Sequence, residues 1–156
     1  MEPSSLTMFA PDFREAMKYK KSGNAYVILL EKGDGIIEAL TRFCAKEKIK
    51  AGSLSGIGGV AKIDVAYYDI RDRKYHARVL DKPPYEVVSL KGNVSMSEGK
   101  LKIHAHIVLS DSEFRAFGGH LNEASVFPMC EIIFTPLKAK LHRKKDAETG
   151  LMFLDL

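Results

Sequence analysis

The sequence predicts an α+β fold in which antiparallel β-sheets curl around one main amphipathic helix. Three observations carry this. One stretch alone has one-sided helical spacing, most of the chain after it reads at the strand period, and clusters of Gly, Asp and Ser interrupt it at short intervals. The 156 residues, 46% hydrophobic and 28% charged, have the balance of a globular domain with its own core. No repeat, linker or low-complexity run divides them, so residues 1–156 are read as one domain. Residues 1–12 form a loosely patterned N-terminal segment.

The first strand is Ala25–Glu31, rich in β-branched and apolar residues. Gly33-Asp34-Gly35 breaks it, with Asp34 or Gly35 placed to cap a helix. Ile36, Ile37, Leu40, Phe43 and Cys44 follow at helical spacing, and this helix is expected to end near Lys48. Residues 49–55 lead into Gly56-Ile57-Gly58-Gly59, read as a bulge or sharp bend rather than a ligand loop. Residues 60–70 alternate, with Ile63, Val65 and Tyr67 expected on one face. Strands are then expected at 75–80, 85–90 and 101–109, separated by Arg71-Asp72-Arg73, Pro83-Pro84 and a loop over 95–99. A turn over 110–113, a late strand carrying Val126, Cys130, Ile132 and Phe134, and a last one over 151–154 complete the chain.

Charge and cysteine content narrow the function. Lys and Arg number 24 against 20 Asp and Glu, a net charge of +4. This mild excess permits nucleic-acid contact without demanding it. Cys44 and Cys130 sit among apolar neighbours and form no Cys-x-x-Cys pair, so both read as buried, reduced thiols. No apolar run approaches the ~20 residues that cross a bilayer. The opening Met-Glu-Pro-Ser-Ser lacks the pattern of a signal peptide, and a cytoplasmic protein with no membrane partner is expected.

The chemistry concentrates in three histidines. His104 and His106 lie two apart in a strand, so both imidazoles share the face opposite Ile103, Ala105 and Ile107. His120 follows Gly118-Gly119; spacing leaves open whether it lies beyond the pairing or is brought back by the glycine bend. Three neutral imidazoles can hold a divalent metal, zinc above all, with one position open to a small ligand. Asp111 and Glu123 are the candidate carboxylates to accept the second ring N–H or to act as extra ligands. The spacing Gly99-x4-His104-x-His106-x4-Asp111-x6-Gly118 resembles the first cupin motif, but its first gap is one residue off, Asp replaces Glu, and no second motif follows. The run Lys138, Lys140, Arg143, Lys144 and Lys145 is the candidate nucleic-acid contact.

Taken in order, several segments resemble the PPC domain (plants and prokaryotes conserved). They are Ala51-Gly-Ser-Leu-Ser-Gly-Ile-Gly-Gly59, Glu86-Val-Val-Ser-Leu-Lys-Gly-Asn93, His104-Ala-His106, Gly118-Gly-His-Leu121, Val126-Phe-Pro and Arg143-x-x-Asp146-x-x-Thr149-Gly150-Leu151. The resemblance implies a homotrimer with His104, His106 and His120 clustered near the subunit boundary. The chain lacks the Arg-Gly-Arg-Pro AT-hook that precedes the domain in plant DNA-binding proteins. Pro83-Pro84-Tyr85-Glu86 stands where the plant domain carries its partner-recruiting Gly-Arg-Phe-Glu. Four functions follow as expectations: a trimeric metal or small-ligand binding module, DNA association through the basic strip, a metal-dependent enzyme, and a protein-interaction platform on the trimer surface.

Overall fold

The computed structural model describes residues 17–82 and 84–156; the N-terminal segment 1–12 and Pro83 lie outside these. The described chain runs β1 (Lys18–Ser22), β2 (Ala25–Glu31), α1 (Ile36–Lys46), β3 (Gly52–Asp69), β4 (Lys74–Leu80), β5 (Tyr85–Ser97), β6 (Lys100–Ser110), β7 (Ala116–Pro136), β8 (His142–Lys145) and β9 (Met152–Asp155). One helix among many strands is the α+β class read from the sequence. The strands form one nine-stranded sheet rather than several, and the β5–β8 pairing is parallel where antiparallel pairing was expected.

Helix α1 forms where the spacing requires it. Ile36, Ala39, Leu40, Phe43 and Cys44 are its buried stripe, packed with Ile28, Leu30, Leu90, Ile107, Ile132 and Phe134 in one core. Gly35 is the N-cap but supplies no side-chain hydrogen bond. That function comes from a distant strand: the Glu123 carboxylate accepts from the backbone N–H groups of Ile37 (2.8 Å) and Glu38 (2.9 Å). Two of the unpaired donors at the helix start are thereby satisfied, and the negative charge sits at the positive end of the helix. Burial nevertheless pushes the Glu123 carboxyl above its ordinary range, against the lowering effect of these hydrogen bonds.

Two long bent strands organise the sheet. β3 pairs with β4, β5 and β7, while β6 pairs with β5 and β7, so β3, β5, β6 and β7 close a circuit around the core. The Gly56–Gly59 bend lies inside β3 as a shift of register, not at a strand end. A Cβ at Gly58 would overlap Met129 O, and one at Gly59 would overlap Phe127 O. Those glycines serve close backbone approach to β7. A further irregularity between Asp64 and Val65 breaks the expected alternation: Ile63 is fully buried while Tyr67 is exposed.

The other boundaries differ for local reasons. β5 continues through Ser97, and the hairpin turn is only Glu98-Gly99, both with positive φ, as a two-residue turn between twisted strands requires. The segments on either side of residues 121–125 are one 21-residue strand, β7. β1 and β8 were not read as strands because their residues are mostly exposed and charged, without an apolar alternation to mark them.

Candidate metal centre

Strand β6 presents the first two imidazoles as its alternation requires. Ile103, Ala105, Ile107 and Leu109 are buried in the core, which turns His104 and His106 to the opposite face. His120 reaches them because β7 pairs beside β6 with His106 and His120 as direct partners. The two preceding glycines make that register possible. A Cβ at Gly118 would overlap the Ile107 carbonyl oxygen, and one at Gly119 would stand 2.8 Å from Ala66 O. β7 is therefore wedged between β6 and β3 at this point, and its third histidine comes back into the pairing. Gly118→Ala is expected to cost about 1–3 kcal/mol through this overlap. Urea denaturation checks it, and an unchanged midpoint would show that the strands can part without loss.

The three rings form a near-equilateral triangle, with centroids 5.2, 5.2 and 5.5 Å apart. One ring nitrogen from each lies within 4.8 Å of the others. Tetrahedral Zn–N bonds of ~2.0–2.1 Å place nitrogens about 3.4 Å apart, within reach of small side-chain rotations. His120 Nδ1 is buried with no hydrogen-bond partner, an unsatisfied lone pair or N–H that a bound group would relieve. Burial holds His104 and His120 down to about 4, helped by the Arg143 charge at His104 and by the neighbouring histidines. Both are neutral at physiological pH, the form that binds a metal. The residues present fit a divalent ion.

Neither candidate carboxylate joins this cluster. Glu123 is occupied at the start of α1. Asp111 sits in the β6–β7 turn, where it accepts from the Glu113 and Arg115 backbones and pairs with the Arg115 guanidinium. Arg143 is also displaced from its expected role. Instead of facing solvent, its half-buried guanidinium donates to Ser95 Oγ (2.8 Å), Asn93 Oδ1 (2.8 Å) and Met152 O (2.7 Å). It lies 3.4 Å from His104 Nδ1. The signal that could have placed it was its position in the Arg143–Leu151 motif rather than among its basic neighbours. Lys138, Lys140 and Lys145 are exposed, and Lys144 pairs with Asp155 at 2.5 Å. Tyr75 was not anticipated; its ring lies 5.0 Å from that of His120 and 4.8 Å from that of Tyr68.

A second group, Asp69, Asp72 and His76, also brings ligand atoms within 4.8 Å of one another. It lies on the exposed β3–β4 turn, and its donors are already engaged: Arg71 holds Asp69 at 2.7 Å, and Asp72 meets His76 at 3.0 Å. Both cysteines are buried as expected, and burial pushes each thiol up to about 12, which leaves them unreactive.

An α+β domain, with one helix among the described residues and a tri-histidine face, is thus defined by both topology and site. The chain belongs to the Plants and Prokaryotes Conserved (PCC) domain family, whose sequence model matches residues 17–138. Among solved structures it is similar to a candidate DNA-binding protein of Bacteroides thetaiotaomicron, with TM-score 0.86, 26% identity and coverage of 90% of this chain and 98% of that one. A metal-containing protein of Archaeoglobus fulgidus matches with TM-score 0.79 and 31% identity, over 92% of this chain and all of the other. A plant- and prokaryote-conserved protein of Pyrococcus horikoshii gives TM-score 0.78 and 31% identity, covering 90% and 95%. A bifunctional protein GlmU of Synechococcus is 25% identical over 134 residues, but this chain spans only about one fifth of that curated relative's length. No helix among the described residues is long and apolar enough to cross a membrane.

Proposed function

We propose that this chain is a binding module that holds one divalent ion, zinc by preference, on His104, His106 and His120, in an assembly of three copies. The observation that carries this is the convergence of three imidazoles on one sheet face with a buried, partnerless His120 Nδ1. The similarity to a metal-containing archaeal protein adds support. Exposed Tyr75 and Val79, on one face of β4, supply apolar area for assembly. A bound ion would supply Lewis-acid polarisation of a ligand oxygen. The chain's own residues hold and orient: β6 and β7 fix the rings, and Arg143 braces β8 against β5. With Glu123 and Asp111 engaged elsewhere, no carboxylate among the described residues joins the cluster to move a proton, which favours binding over catalysis. Elemental analysis of untagged protein purified without added metal, with its mass read by sedimentation, tests the reading. One ion per chain in a trimer is expected; a metal-free monomer that takes up no zinc refutes it.

DNA association is the second reading, favoured by the exposed Lys138, Lys140 and Lys145 and by the Bacteroides relative. If it holds, affinity for duplex DNA drops steeply between ~50 and ~200 mM salt through counterion release. Reversing these three lysines to Glu then weakens binding at every sequence tested. Affinity indifferent to both changes removes the reading.

A further inference from the structure

Resting on the metal reading above, we infer that the histidine centre takes a small oxyanion as its ligand, with the Arg143 guanidinium as the anion's cationic partner beside the ion. The observation is an unneutralised charge. Arg42, Arg71 and Arg115 are exposed and each pairs with a carboxylate. Arg143 is more buried than any of them, yet its three short hydrogen bonds all go to neutral oxygens, and no carboxylate among the described residues lies within ion-pair distance. A half-buried cation without a counter-charge is costly to keep.

One weakly engaged donor lies beside the centre. A guanidinium has five N–H groups. The hydrogen bonds to Ser95, Asn93 and Met152 use one on Nε and one on each Nη, so each Nη keeps one N–H. Nη2 is the atom 3.4 Å from His104 Nδ1, too long for a strong hydrogen bond. A planar guanidinium whose second Nη2 N–H makes only this long contact, and whose second Nη1 N–H has no partner among the described residues, suits the oxygens of a carboxylate or phosphate. The wider field has the same sign. The Lys102 charge acts on both His104 and His120, and Arg143 adds its own at His104. A dication on the three neutral imidazoles would sharpen the deficit, and an oxyanion touching both ion and guanidinium would neutralise it. Tyr75, against the His120 ring, would form an aromatic wall for such a guest.

The test loads the protein with cobalt(II) and follows the visible absorption bands while acetate and then inorganic phosphate are titrated. The wild type, Arg143→Met and Arg143→Lys are compared. All three are expected to take one cobalt per chain, and the oxyanions to perturb the wild-type bands saturably. Affinity should fall at least tenfold in Arg143→Met and by a smaller factor in Arg143→Lys, which keeps the charge but loses the fork. Should Arg143→Met fail to fold, Arg143→Lys and Ser95→Ala, which loosens the same guanidinium, carry the comparison. Cobalt bound without any response to oxyanion, or equal affinity in the variants, overturns this inference and leaves the metal reading standing. A wild type that binds no cobalt overturns the metal reading, and the inference falls with it.

Discussion

Replacing His104 and His106 together with Ala is expected to abolish metal binding while leaving the fold in place. Loss of even a residue that only hydrogen-bonds a metal ligand typically costs ~10–100-fold in metal affinity. Removing two of three direct ligands should therefore cost well over ~100-fold, and the lone His120 should retain no ion through dialysis. The fold should survive because both side chains point away from the core formed by Ile103, Ala105, Ile107 and Leu109. Alanine in a strand costs about 1 kcal/mol or less per site. Elemental analysis and far-ultraviolet circular dichroism on the same sample read both halves of the expectation. An ion retained at full stoichiometry by the double variant would place the metal elsewhere, with Asp69, Asp72 and His76 the next site to mutate. Loss of the proposed three-copy assembly along with the metal would instead make the ion a structural element of that assembly.

The metal-free protein should lose stability as pH falls from about 6.5 to about 4. His104 and His120 are held down to about 4 in the folded state by burial first and neighbouring positive charge second. In the unfolded chain they titrate near ~6.5. The unfolded state therefore binds protons in this window that the folded state refuses, and stability present above ~6.5 drains away toward 4. Each pKa unit is worth ~1.4 kcal/mol, and solvent reaching the half-buried rings reduces the pair's contribution to about 2–4 kcal/mol. The carboxyls of Asp69, Asp111 and Asp146 are lowered from 3.8 by their hydrogen bonds and act below this window. Glu123 works the other way: its raised carboxyl favours the folded state once protonated, and that share is lost as pH rises. Urea midpoints at half-unit steps from pH 7 to 4.5 measure the slope in a Glu123→Gln background, which removes the opposing contribution. Adding His104→Gln and His120→Gln should flatten it. A slope that persists without the two histidines would assign it to other groups.

Much of the architecture was legible from local pattern. β2 is a β-branched and apolar run, Val126, Cys130, Ile132 and Phe134 of β7 recur at the strand period, and α1 shows the one strong helical spacing, so those elements appear where the sequence places them. The histidine face of β6 followed from alternation alone, because the period of two is a property of the backbone. β8 escaped notice because it is made by its partners, β9 along all four residues and Met96 and Ser97 of β5 more than 40 positions earlier, not by an apolar pattern of its own. Exposed basic side chains carry no trace of such partners.

The roles of single polar residues divide along the same line. That His104 and His106 share a face, and that Gly118-Gly119 permits close approach, are consequences of residue type and spacing, which the sequence determines by itself. Whether His120 meets them, whether Glu123 serves a metal or a helix end, and whether Arg143 faces solvent or the histidines depend on which strands lie side by side. Tertiary structure alone decided these, because a charged side chain is equally at home in water or against a buried partner, and only the register of β5, β6, β7 and β8 specifies which one it finds.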